Sequence, residues 1–157
     1  MLANCSEPRR AMAGFTLVEL VTILLIMGIL AAIAIPRMAG TDEFRAVQFR
    51  DQVVSTLRYA HKTAISHRRM VCVAFTATTV TLTIATLGGG AACNANLRIP
   101  GAPANVLNSP DPATALFDPM PAAFSFQADG RAIGAGAITV RSLPAIRVVG
   151  DTGYVIN

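Results

Sequence analysis

GFTLVELVTILLIMGILAAIAIP, residues 14–36, governs how the rest of this chain is read. Positions 15–35 hold 21 residues and one formal charge, Glu19. At about 1.5 Å per residue a helix of that length covers roughly 30 Å, the thickness of a bilayer's hydrocarbon core. Arg9 and Arg10 precede it, then Ala13 and Gly14. A basic head before an apolar run is also the pattern of a secretory signal peptide. Here, however, the small residues come before the run, where a secretory peptidase does not cut. A carboxylate inside the run costs about 2.5–3.5 kcal/mol at mid-bilayer, so Glu19 is a functional candidate from the outset.

The two arginines also set direction. The positive-inside rule keeps the N-terminus cytoplasmic and sends everything after Pro36 across the membrane. Cys5 stays on the reducing side, while Cys72 and Cys93 are the only thiols beyond the helix. Disulfides persist in exported segments. A bond between these two would be worth roughly 3 kcal/mol in the chain-entropy model; two buried free thiols are the other reading. The chain has 157 residues, 53% of them hydrophobic and 14% charged, with a net charge of +4. After one apolar helix there is room for one small domain. The charge is too small to imply nucleic acid by itself.

Pro36 ends or kinks the first helix, since it lacks an N–H and crowds the preceding turn. From Glu43 to about Arg69 the apolar spacing is helical again. Val47, Val54 and Ile65 share one face; Ala46, Val53, Ala60 and Ala64 share another, with Leu57 between. A column of Arg50, His61 and Arg68 runs between the stripes, and Arg45, Gln48, Gln52, Ser55, Thr63 and Ser66 form the solvent side. Two stripes suit two partners, the chain's own sheet and a neighbouring subunit. One wide core face with a snorkelling Arg50 suits the pattern equally.

At Met70 the period becomes two. MVCVAF (70–75) and TVTLTIA (79–85) read as a β-hairpin closed by Thr76-Ala77-Thr78. Gly88-Gly89-Gly90 opens a loop to about Leu97, and the prolines between Ile99 and Pro121 mark a long connection with at most a short strand. Residues 123–127, 137–141, 145–149 and 154–156 read as strands, with turns at 128–130 and 150–153. The expected fold class is α+β: a long N-terminal helix, then about six antiparallel strands whose apolar face lies on the amphipathic helix.

Gly14-Phe15-Thr16-Leu17-Val18-Glu19-Leu20, the apolar helix behind it and Pro36 together resemble the type IV pilin family, which includes the type II secretion pseudopilins. The resemblance implies a leader, residues 1–14, removed by a prepilin peptidase between Gly14 and Phe15. It implies N-methylation of Phe15, a transmembrane and filament-core helix over 15–36, its amphipathic continuation over 37–69, and a β-rich head over 70–157. Removing 14 of 157 residues leaves 143 and a charge of about +3, 11 basic minus 8 acidic. LRYAHKTAISHRRMVCV (57–73), residues 126–130 and Thr152-Gly153-Tyr154-Val155 are similar to the GspH/FimT-type minor pilins. Cys72 and Cys93, near Asn94-Ala95-Asn96-Leu97, look most like the MshC-type minor pilins of mannose-sensitive haemagglutinin pili.

What the resemblance implies is a non-enzymatic subunit with no cofactor. It would sit in the inner membrane with a periplasmic head, then join a type IV pilus or, alternatively, a type II secretion pseudopilus. Its partners would be other pilins, the prepilin peptidase and the inner-membrane assembly platform. Glu19 would pair with the α-ammonium of a neighbouring subunit's N-terminus, so that each offsets the other's desolvation. Some FimT-like relatives bind DNA, which would recruit Arg131, Arg141 and Arg147 with Arg68 and Arg69; solvated arginines on strand faces are the plainer reading. No other chemistry is legible. His61, His67 and Cys72 match no zinc spacing, Asp51, Ser66 and His67 lack a nucleophile elbow, and the triple glycine lacks the Lys-Ser/Thr of a phosphate loop.

Overall fold

Among the described residues, two helices and two antiparallel sheets make an α+β architecture. The computed structural model describes the backbone of residues 15–37 and 41–157, and side chains for 15–31 and 42–157. Gly14, Arg9, Arg10, Cys5 and the expected leader lie outside the described residues. By internal contacts the chain divides into two units, Met1–Ala39 and Gly40–Asn157.

In the first unit, helix α1 spans Leu17–Arg37. Pro36 is the penultimate residue of that range, and residues 38–40 lie outside the described ones. Among the described residues no helix is long and apolar enough to cross a membrane. The described side chains of α1 stop at Ala31, and positions 17–31 cover only about 22 Å at 1.5 Å per residue.

The second unit opens with α2, Thr41–His67. Its buried residues are Ala46, Phe49, Val53, Thr56, Leu57, Ala60, Thr63 and Ala64, the i, i+3, i+4 spacing of one core-facing stripe. Val54 joins them, while Val47 and Ile65 stay open to solvent. Thr63, expected on the solvent side, is buried beside Ala64. The helix ends in a left-handed residue, Arg68 at φ 52°. There the Arg69 N–H donates to the Ala64 carbonyl and the Arg68 N–H to that of Ile65, closing the last turn.

Strands β1 (Val71–Phe75) and β2 (Thr79–Ile84) form the expected hairpin, in register from Val71 opposite Ile84 to Phe75 opposite Val80. The hydroxyl of Thr76 accepts the amides of Thr78 and Thr79, an ST-type closure of the turn. Alternate residues of β2 are buried, which places Val80, Leu82 and Ile84 against α2.

The long connection from Ile99 to Pro121 holds one short strand, as its prolines implied, and the loop before it holds another. β3 (Ala95–Asn96) and β4 (Val106–Asn108) both add to the free edge of β2, at its end and its start respectively. β5 (Phe124–Phe126) pairs the other side of β1, and β6 (Ala132–Ile133) closes that edge. A separate sheet orders β7 (Ala137–Ile138), β8 (Ile146–Val148) and β9 (Val155–Ile156). The sequence reading of about six strands in one sheet is thus corrected to nine in two. The expected strand 137–141 splits: β7 stops at Ile138, and Val140 instead bridges to Phe117 in the proline-rich loop. That bridge joins the second sheet to the loop covering the first.

A run of ring contacts crosses the core of this unit. Phe49 of α2 meets Phe117 at 5.3 Å, Phe117 meets Phe75 edge-on at 5.3 Å, and Phe75 lies 6.0 Å from Phe124. Phe124 meets Phe126 at 5.2 Å, and Phe126 meets His61, back on α2, at 5.4 Å. These separations suit edge and tilted packing. The chain of rings therefore leaves the helix at one point, crosses the loop and two strands, and returns to the helix three turns on.

Cys72 and Cys93 are disulfide-bonded, with Cα atoms 6.0 Å apart and a sequence separation of 21. The bond ties the loop after Gly88-Gly89-Gly90 to the middle of β1, which excludes the free-thiol reading.

Candidate functional site

The local sequence explains how α1 begins. Thr16 sits at the N-cap: its hydroxyl accepts the Glu19 amide at 3.3 Å and its carbonyl accepts that of Leu20. Thr16-Leu17-Val18-Glu19 is the S/T-x-x-E spacing of a capping box. A carboxylate in the first turn also faces the positive end of the helix dipole. Glu19 thus has a local use beside any partner, and the T-x-x-E pattern signalled it in the sequence.

Beyond that cap, α1 carries apolar side chains on every side, and none of its described side chains is buried. Leu17 is 79% exposed, Leu24 61%, Met27 64% and Leu30 61%, and Phe15 stands 74% exposed at the start. A helix apolar all round is one whose partner is absent from the isolated chain, because a solitary helix of this kind in water leaves its whole surface unpaid. Glu19 is the single formal charge among these exposed groups.

Within the Gly40–Asn157 unit the remaining candidate residues fall apart by neighbourhood. Arg131 follows the turn 128–130 and approaches Asp151 at 3.8 Å, both side chains being well exposed. Arg141 holds a left-handed φ of 51° and donates to the Thr114 carbonyl at 3.2 Å. Arg147 is exposed in β8, opposite Ala137 and Ile156. Two of the three arginines are occupied with protein groups of their own, and each has different neighbours.

Arg50 departs from the snorkelling expectation. Its side chain is only 11% exposed, and its Nε donates to the Pro144 carbonyl at 2.9 Å. It also bonds the Asn157 side chain, which fixes the end of the chain on α2. Arg45 forms a second polar tie, 3.0 Å from Asp111 in the long loop. The Asp111 carboxyl is held below the usual aspartate range, chiefly by the Ala113 amide donating to it, with Arg45 adding to the effect.

His61 and His67 do not meet Cys72, which is bonded to Cys93. Among the described residues no group of His, Cys, Asp and Glu is placed to hold a metal ion. The sequence reading also passed over Phe49 and Phe117. Phe49 fits the helical period, three after Ala46 and four before Val53, and that spacing was available to find it; for Phe117 no periodic signal exists.

No family model, curated protein or solved structure matches this chain.

Proposed function

We propose that this chain is a filament subunit of the type IV pilin class, a minor pilin of the GspH/FimT type. In this reading it is held in the inner membrane by residues 15–36 until it is drawn into a pilus of the mannose-sensitive haemagglutinin kind. A type II secretion pseudopilus would use the same physics. One observation carries the reading: α1 exposes apolar side chains on all sides with one acid, Glu19, in its first turn. Lipid satisfies such a surface, and so do the same helices of neighbouring subunits. The apolar sequence continues past Ala31 to Ile35, which extends the described part to bilayer length.

Glu19 is what makes transfer between these environments directional. Cleavage after Gly14 would leave an α-ammonium on Phe15, with an ordinary pKa of about 7.7–8.0. Pairing it with the Glu19 carboxylate of an adjacent subunit offsets two desolvation costs at once. The Arg50, Arg45 and disulfide ties support a head that stays folded while the helix changes surroundings.

The experiment compares wild type with Glu19→Ala in cells that build pili. The expected result is a native protein beginning at Phe15 in both, with the variant retained in the membrane and depleted from the sheared filament fraction. A native protein beginning at Met1, or normal incorporation of Glu19→Ala, overturns the reading.

A further inference from the structure

The geometry points to His61 as a pH-operated latch that holds two surface turns of the Gly40–Asn157 unit onto α2. It stands apart from the filament reading and uses none of its residues.

The ring of His61 lies under the turn 128–130 and the turn 150–153. Its Nε2 is out of water and has no hydrogen-bond partner. One ring face tilts against Phe126 of β5 at 5.4 Å. Gly130 and Gly153 crowd the ring so closely that a Cβ on Gly153 would stand 2.7 Å from Nε2 and 2.1 Å from the Gly130 carbonyl oxygen. Both glycines have left-handed φ, 94° and 64°, which only glycine adopts without strain. The turns are also joined to each other, since the Ala132 N–H donates to the Gly150 carbonyl at 2.7 Å. The imidazole is thus the floor on which both turns rest.

Among the described residues nothing accepts a hydrogen bond from Nε2. On α2, Arg58 lies three residues before His61 and Lys62 one after it; both are cationic, and Arg58 donates to the Val155 carbonyl. From β5 the neighbour is Phe126. On the turns, Asp129 accepts the Arg131 amide at 3.0 Å, and Asp151 faces the Arg131 guanidinium. Ile65, one turn along the helix, packs on Gly130 and adds only apolar surface.

Histidine is the side chain that gains its charge as pH falls from 8 to 5. A proton on Nε2 has neither acceptor nor water in the closed arrangement, and both become available once the turns lift. Acidification therefore releases the turns, and the cleft between them, lined by Gln127, Ala128, Arg131, Gly150 and Asp151, opens.

Amide hydrogen exchange on the full chain in detergent micelles tests this, at pH 7.5 and 5.5 with intrinsic rates divided out. The expected result is a loss of protection at Ala132, Val149 and Gly153 of about fivefold or more, one group being limited to about tenfold per pH unit. Protection across β1 and β2 should stay within twofold. In His61→Gln the pH-dependent loss should vanish. Equal losses in the turns and in β1–β2, no loss in either, or an unchanged loss in His61→Gln would each overturn the latch; the first two need no variant to fold.

Discussion

Replacing Phe117 by alanine tests how the Gly40–Asn157 unit is held together. Phe117 is 2% exposed, has rings on two sides at 5.3 Å each, and forms the bridge to Val140. Truncating a buried phenylalanine costs about 3–5 kcal/mol through lost transfer energy and the cavity left behind. Domains of this size have roughly 5–15 kcal/mol in all, so about a fifth or more of the stability is at stake. The site favours the upper half of that range. Phe49 reaches it from a helix and Phe75 from a paired strand, and neither backbone can move in to fill the gap. Urea unfolding of the full chain in micelles, followed by circular dichroism, measures the loss. A double-mutant cycle of Phe49→Leu with Phe117→Leu then isolates the ring pair, expected to couple by about 0.5–1.5 kcal/mol. A loss under about 1 kcal/mol for Phe117→Ala would refute the placement of this loop residue in the core.

Reducing the Cys72–Cys93 bond, or replacing both residues by serine, should cost roughly 3 kcal/mol for a loop of this length, read as a lower urea midpoint with dithiothreitol than without. Arg68→Gly should stabilise by about 1 kcal/mol, because the left-handed backbone at the end of α2 suits glycine better; thermal melts of the two proteins decide it. Asp111 titrates below its unfolded value, so its contribution is present above pH about 3.9 and disappears as pH falls through its folded value. The melting-temperature gap between wild type and Asp111→Asn should accordingly narrow from pH 6 to pH 3, and a constant gap would count against the Arg45–Asp111–Ala113 arrangement.

The β1–β2 hairpin and the small-residue stripe of α2 were legible in the sequence because each repeats a period over several residues. MVCVAF and TVTLTIA alternate, and Ala46, Val53, Ala60 and Ala64 recur at helical intervals. β3, β4 and β6 have two or three residues each, too few to display any period, and they exist because β2 and β5 present free edges to them. The same limit hid Phe117, whose burial is decided by Val140 and Phe49 far away in sequence. Thr63 was misplaced because the buried face is wider than the alanine stripe that marked it, and a threonine hydroxyl can be buried where a charged group cannot. For the candidate site the balance reverses. The apolar run and Glu19 were plain from composition, and what the structure adds is the Thr16 cap and the openness of every described side chain along the helix.

The ring closed by Cys72 and Cys93 has a mechanical side. It encloses all of β2 and most of β1, so a pull applied at the two ends of the chain runs through the sulfur atoms and bypasses the hairpin. About 70 Å of extended backbone, 21 residues at roughly 3.3 Å each, is thereby withheld from stretching. A head tugged along its length would give up its later strands first, while this closed segment kept its contour until the covalent link was cut.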